Sequence, residues 1–353
     1  MAENDTDMNQ FFLGNWFDQG KESFSYFHIH PISTMDGTID SPFGTNLIAD
    51  SNQLDAHDGQ GIPGEEGFYT YPPITSKDCL NSNSLPKIEL EQLIHQRVYH
   101  SLTMNHGFDA AVKQSGNVHK LPVVITPTLT HLSPVITGCI EARSTKDEPV
   151  NPPHLIYLGA KPQLGNTIEP DGVLEPIGVI LKTFNTPLMQ LGIRSLTTFD
   201  LFAQSLFTIG SVSARDLMMA SDYSGLHQLV TQTLSKQRSN NYTKSQTILI
   251  LDGDVLDPSI WALDRQILGC TIPGGLSYYC LLSLLEILSL HQKIDCIVIT
   301  HSSPNPNTFI LADLTHKLLG FLSRSPVNNP ELTIPFNQNT HSSSSSFLPK
   351  GVE

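Results

Sequence analysis

Apolar residues in this chain gather in short unbroken runs separated by polar stretches. Leu121–Thr126 (LPVVIT), His154–Gly159 (HLIYLG), Leu188–Ile193 (LMQLGI), Ile248–Leu251 (ILIL) and Ile294–Thr300 (IDCIVIT) are such runs. Their shortness and their aliphatic, β-branched content predict strands buried on both faces. Phe24–Ile29 (FSYFHI) predicts an earlier strand. Between the runs the apolar spacing becomes helical. Ile88, Leu90, Leu93, Ile94 and Val98 fall on one stripe, and helices are also expected over Phe199–Phe207, Ser224–Ser235, Ser277–Leu290 and Phe309–Leu322. Asp109–Gln114 is a shorter helical stretch, and Ser277 is placed to act as an N-cap. Strands alternating with helices predict right-handed βαβ units, hence a three-layer α/β/α fold around a central, mostly parallel sheet. Ligands of such sheets bind beyond the C-terminal strand ends, so the chemistry is sought there.

The flanks read differently. Residues 1–20 form a polar N-terminal tail, 21–325 a single α/β domain, and 326–353 a low-complexity tail ending in NTHSSSSSFLPKGVE. The stretch near 31–85 is rich in Asp, Ser, Gly and Pro and reads as a long irregular insertion.

Composition narrows the function classes. The 353 residues carry a net charge of −14 and no basic patch, which argues against nucleic acid as a partner. No apolar run approaches the ~20 residues of a membrane span, and the acidic start MAENDTDMNQ is unlike a signal peptide. Cys79, Cys139, Cys270, Cys280 and Cys296 show no CxxC spacing and lie mostly in apolar runs, as reduced thiols do. The expected location is therefore cytoplasmic.

The most informative stretch is TILILDGDVLDPSIWALDRQILGCTIPGGL, residues 247–276. Asp252 and Asp254 sit at i and i+2 where an apolar strand ends, so on an extended chain both point to one side. Bunched carboxylates at such a place are costly without a compensating cation. Spacing alone is equally consistent with an acidic strand exit. DGDVLDP, the later PGGL at Pro273–Leu276, and LGIRS at Leu191–Ser195 together resemble the ureohydrolase family of arginases, agmatinases and formiminoglutamases. The resemblance runs from about Leu121 to Leu322 and implies an arginase-like fold. It places Asp252 and Asp254 where that family binds a two-manganese cluster. Asp257 and His131 would lie near the same pocket.

At the other family positions the ligands are missing. The first metal-binding histidine falls on Leu129. The DAHxD motif becomes Gly159-Ala160-Lys161-Pro162-Gln163, so two aspartates and a histidine are replaced by Gly159, Gln163 and Lys161. A substrate-facing histidine falls near Glu175, and a substrate-binding glutamate on Val298. The chemistry implied is metal-assisted hydrolysis of a guanidino or amidino carbon, which needs a cluster of oxygen and imidazole ligands from several strand ends. Leucine, glycine and a lysine ammonium supply none.

The resemblance therefore implies an arginase-like protein without the cluster and without the parent activity. Such a protein would act by binding or assembly: a small-molecule sensor, a homo-oligomer, or a hetero-oligomer with an active homologue. No cofactor is expected. The alternative is an active manganese-dependent hydrolase of an arginine, agmatine or formiminoglutamate type of substrate, with missing ligands supplied by His28, His30, His57 or His131. The HxH of His28 and His30 and the Asp55-Ala56-His57-Asp58 segment also read as solvated loop. In the metal-free case Lys161 is expected to place its ammonium in the cation position and pair with Asp252 or Asp254.

Overall fold

The computed structural model of the chain describes residues 26–31, 67–70, 86–103, 120–126, 129–143, 152–165, 175–220, 222–238, 246–260, 273–300, 308–325 and 327–328. Eight strands form one sheet: β1 (Tyr26–Pro31), β2 (Gly67–Thr70), β3 (Lys120–Ile125), β4 (His154–Leu158), β5 (Leu188–Ile193), β6 (Ile209–Ser213), β7 (Thr247–Asp252) and β8 (Cys296–Thr300). Their order is β2-β1-β3-β8-β7-β4-β5-β6, and every pairing is parallel. The five strands expected from the apolar runs are present within two residues at each end. The irregular stretch near 31–85 contributes one edge strand, β2. The helix expected over Asp109–Gln114, the N-terminal tail, His57 and all of the C-terminal tail but residues 327–328 lie outside the described residues; Asn328 is buried, its side-chain amide donating to the Ser289 and Gln292 carbonyls at 2.8 and 2.9 Å.

Parallel pairing requires crossovers, and these supply the helices: α1 (Pro86–Thr103), α2 (Leu132–Arg143), α3 (Pro176–Phe184), α4 (Thr198–Leu206), α5 (Ala214–Met219), α6 (Tyr223–Arg238), α7 (Tyr278–His291) and α8 (Thr308–Arg324). They cover both faces, because every central strand is apolar on both. On one face Ile156, Leu158, Leu249 and Leu251 pack with Leu217, Val230, Leu285 and Leu318 of α5–α8. On the other Leu155, Tyr157, Ile248 and Ile250 pack with Ile94, Val135, Ile180 and Ala203 of α1–α4. Ser277 caps α7, its hydroxyl accepting from the Cys280 amide. Cys139 and Cys296 are buried free thiols, and burial pushes the half-buried Cys280 thiol up. No helix among the described residues is long and apolar enough to cross a membrane.

Topology singles out one place. After β4 the chain leaves toward β5 through α3 on one face; after β7 it leaves toward β8 through α7 on the other. β4 and β7 are neighbours, so the direction of winding reverses between them. A crevice opens beyond the C-terminal ends of two such strands. Those ends carry Gly159 and Asp252.

Candidate functional site at the β4 and β7 strand ends

Register sets the site. Asp252 pairs with Thr300 of β8, and Leu251 with Leu158, so Gly159 stands beside Asp252 one residue on. Neighbours in a parallel sheet face the same side. Thr300, Asp252 and Gly159 therefore share a row, with Ile250, Tyr157 and Gln190 in the row two residues earlier.

Asp252 and Tyr157 are both 0% exposed. The Tyr157 hydroxyl donates to Asp252 Oδ2 at 3.0 Å. Burial, the charges of Asp252 and Asp254, and this hydrogen bond push the Tyr157 phenol well above its usual range, so it stays a neutral donor. The other carboxylate oxygen, Asp252 Oδ1, accepts from the Asp254 amide at 3.2 Å and caps a 3₁₀ turn, Gly253–Val255. Asp254 Oδ1 accepts from the Ala160 amide at 2.9 Å. Each aspartate thus has protein donors on oxygens that a cation would take.

The sequence motifs beside these acids are scaffold. Arg194 of LGIRS donates to the carbonyls of Asp254, Val255 and Leu256 at 2.7, 3.3 and 3.4 Å. Burial lowers its pKa, while Asp254, Asp257 and Asp252 oppose that shift. Gly192 adopts φ +86°, and a Cβ there would lie 2.6 Å from Val255 Cγ2. Gly275 of PGGL adopts φ +141°, and its Cβ would lie 2.6 Å from the Asp257 amide and the Leu256 carbonyl. The two segments lock through Leu276 N to Val255 O and Asp257 N to Leu276 O, each 3.0 Å. DGDVLDP, PGGL and LGIRS are one backbone knot whose glycines permit close approach.

The remaining expected positions separate. Leu129 is buried in the core with Leu132 and Leu164. Gln163 lies at φ 57°, and its carbonyl accepts from the Ile177 and Gly178 amides at 3.1 Å, satisfying the start of α3. Glu175 is the N-cap residue of that helix; burial and Asp200 raise its pKa, and Lys161 opposes them. Asp257 Oδ1 accepts from the Ser259 amide and hydroxyl at 2.9 and 2.6 Å, which lowers its pKa and makes it a turn residue. The His131 ring bonds Thr126 Oγ1 through Nδ1 at 2.8 Å.

Two expectations are corrected. Lys161 is exposed, and the charge interaction that the structure gives it is with Glu175; the cation beside the aspartates is Arg194. A lysine with a solvent route keeps its ammonium hydrated when its acidic neighbours are already bonded. Val298 is 0% exposed in the middle of β8, paired with Val124 and Ile250, so the residue at that strand end is Thr300. His28 and His30 lie on β1, three strands from β7, a separation of about 14 Å at ordinary strand spacing.

Sequence reasoning missed three participants. Tyr157 reads as one more apolar strand residue, and nothing local marks its hydroxyl. Gln190 reads likewise; its Nε2 donates to the Pro162 carbonyl at 3.1 Å, while its Oε1 has no hydrogen-bond partner among the described residues. Thr300 Oγ1 is also buried without a partner among the described residues.

A two-metal cluster does not fit these residues. Among the described residues no group of three or more His, Cys, Asp or Glu side chains is placed to hold a metal ion. The space beside Asp252 is filled: a Cβ on residue 159 would lie 2.2 Å from the Tyr157 hydroxyl oxygen.

No protein-family model matches the sequence, and neither does any curated protein. Solved structures do match in fold. Formimidoylglutamase from Bacillus subtilis superposes with a TM-score of 0.62 at 16% identity, over 92% of this chain and 97% of that one. Arginase from Bacillus cereus gives 0.55 at 14%, over 85% and 99%. A T. brucei arginase-like protein, as a triple mutant bound with Mn2+, gives 0.56 at 13%, over 86% and 91%. Strand order, the switch between β4 and β7 and these superpositions lead to one conclusion: the chain has the arginase-like α/β fold of the ureohydrolases.

Proposed function

We propose that this protein is a catalytically inactive, metal-free arginase-like protein that acts by binding or assembly. The observation that carries this reading is the filled strand end, where Tyr157 and Gly159 occupy the place beside Asp252. Hydrolysis of an unactivated guanidino carbon needs a strong nucleophile generated at neutral pH. The described residues at these strand ends include a hydrogen-bonded tyrosine, a glycine and two bonded aspartates, and none of these generates one.

Two features support the binding and assembly roles. Gln190 Oε1 and Thr300 Oγ1 are buried acceptors flanking the Tyr157–Asp252 pair. A buried polar atom left unpaired costs about 1–3 kcal/mol, which a donor-bearing ligand or a water would recover. On and before α4, which connects β5 to the end strand β6, Leu196, Phe199, Leu201, Phe202 and Leu206 are exposed. Large exposed apolar side chains grouped on one helix mark association surfaces. A homo-oligomer or a pairing with an active homologue would cover them.

Urea release from arginine and agmatine, and formamide release from formiminoglutamate, test the reading in the presence of added Mn2+. No turnover is expected. Metal-dependent turnover by the purified chain would overturn it in favour of an active hydrolase.

A further inference from the structure

We infer that Tyr157 is an internal substitute for a cation. Its hydroxyl supplies the positive end of a dipole to Asp252, and its ring bars both a metal ion and any side chain at position 159. The inference deepens the metal-free reading and rests on it.

The geometry is specific. Tyr157 and Gly159 are i and i+2 on one strand edge, so they face the same side, and the ring leans along the strand toward the C-terminal end. A Cβ built on Gly159 meets the Tyr157 hydroxyl oxygen at 2.2 Å, Cζ at 2.3 Å and Cε1 at 2.8 Å. Two atoms of a rigid ring and its hydroxyl oxygen are involved, and the side chain is fully buried in the core. It cannot swing aside as the tip of an exposed chain would. Tyrosine at 157 thus requires glycine at 159, and any side chain at 159 requires a smaller residue at 157. The two positions form one unit, although only one of them falls on a motif of the ureohydrolases.

The chemistry of the substitution is balanced. A carboxylate at 0% exposure needs donors or a counter-charge. Asp252 receives the Tyr157 O–H on one oxygen and the Asp254 N–H on the other. A phenol O–H donates without adding a formal charge that would itself need neutralising. The exposed Lys161 is therefore not needed at the aspartates.

A double-mutant cycle tests the coupling without reference to metal. Gly159→Ala is expected to lower the urea midpoint sharply, or to prevent folding, in the wild-type background. In a Tyr157→Val background, or Tyr157→Leu should valine not fold, the same change is expected to have most of its effect abolished. Tyr157→Phe should not rescue, because Cζ remains at 2.3 Å. Gly159→Ala tolerated with Tyr157 in place, or equally harmful in both backgrounds, would overturn the inference. A second arm uses Mn2+ alone as the probe. A thermal shift is expected for Tyr157→Val with Gly159→Asp and not for Gly159→Asp alone. Equal responses of the two variants, whether both bind or neither does, would overturn the claim that the ring is the barrier. The metal content of the unaltered protein is a separate measurement, so failure of the metal-free reading stays distinguishable from failure of this one.

Discussion

At the scale of single residues, the buried pair Tyr157 and Asp252 has the largest energetic consequences. Tyr157→Phe removes a donor from a fully buried carboxylate and is expected to cost about 1–3 kcal/mol, read from urea unfolding at pH 7. The pH dependence has a fixed sign. The folded chain holds the phenolic proton well above the usual range, whereas the unfolded chain releases it near pH 10. Stability from this group is therefore fully present below about pH 10 and is lost as pH rises from there toward the folded value. Tyr157→Phe should flatten that alkaline decline; an unchanged slope would mean that another group causes it. Glu175 also titrates high, so its ionisation slightly disfavours the fold as pH rises past the usual carboxylate range. Glu175→Gln should leave neutral stability unchanged or slightly raised, the effect being small because the side chain is exposed. Lys161→Met, at an exposed position, should fall within about 0.5 kcal/mol of wild type, and a loss of several kcal/mol would restore the ion pair expected from sequence.

At the scale of elements, the strands legible in sequence were those buried on both faces. β3, β4, β5, β7 and β8 are nearly continuous aliphatic runs, and such runs have few other uses. β6 reads IGSVS, an edge strand with glycine and two serines, and it lacks the apolar density that announces a strand. α5 is six residues long, too short to show a periodicity. α3, PIGVILKTF, presents aliphatic residues without a clear polar alternate, as a strand would. Of the site, the acids were legible and their partners were not. Asp252 and Asp254 stand out as charges at the end of an apolar run, whereas Tyr157, Gln190 and Thr300 become functional neighbours only through the register of three different strands. The motifs that resemble those of ureohydrolases hold the backbone: Gly275, Gly192 and Arg194 close the β7 turn. Gly275→Ala, at φ +141° against the Leu256 carbonyl, should cost about 1–3 kcal/mol of backbone strain in thermal or urea unfolding. A neutral result would show that the PGGL segment can move away from the β7 turn.

For the whole molecule, the fold places its switch point between β4 and β7, and among the described residues no group of three or more His, Cys, Asp or Glu side chains is placed to hold a metal ion. A fold defines where a site can be; the side chains define what the site does. An exposed apolar surface among the described residues lies on α4, where Leu201 and Leu206 are 55% and 56% exposed. If that face carries assembly, the protein sediments as more than a monomer, and Leu201→Glu with Leu206→Glu reduces its mass without changing its unfolding midpoint. A monomer for the unaltered protein would place any assembly with a different chain.

The central claim, that tyrosine has replaced metal beside Asp252, is tested most directly by elemental analysis of the purified protein after incubation with Mn2+ and removal of free ion. The account predicts no stoichiometric manganese or other divalent metal retained. Stoichiometric retention that disappears on replacing Asp252 with Asn would contradict it.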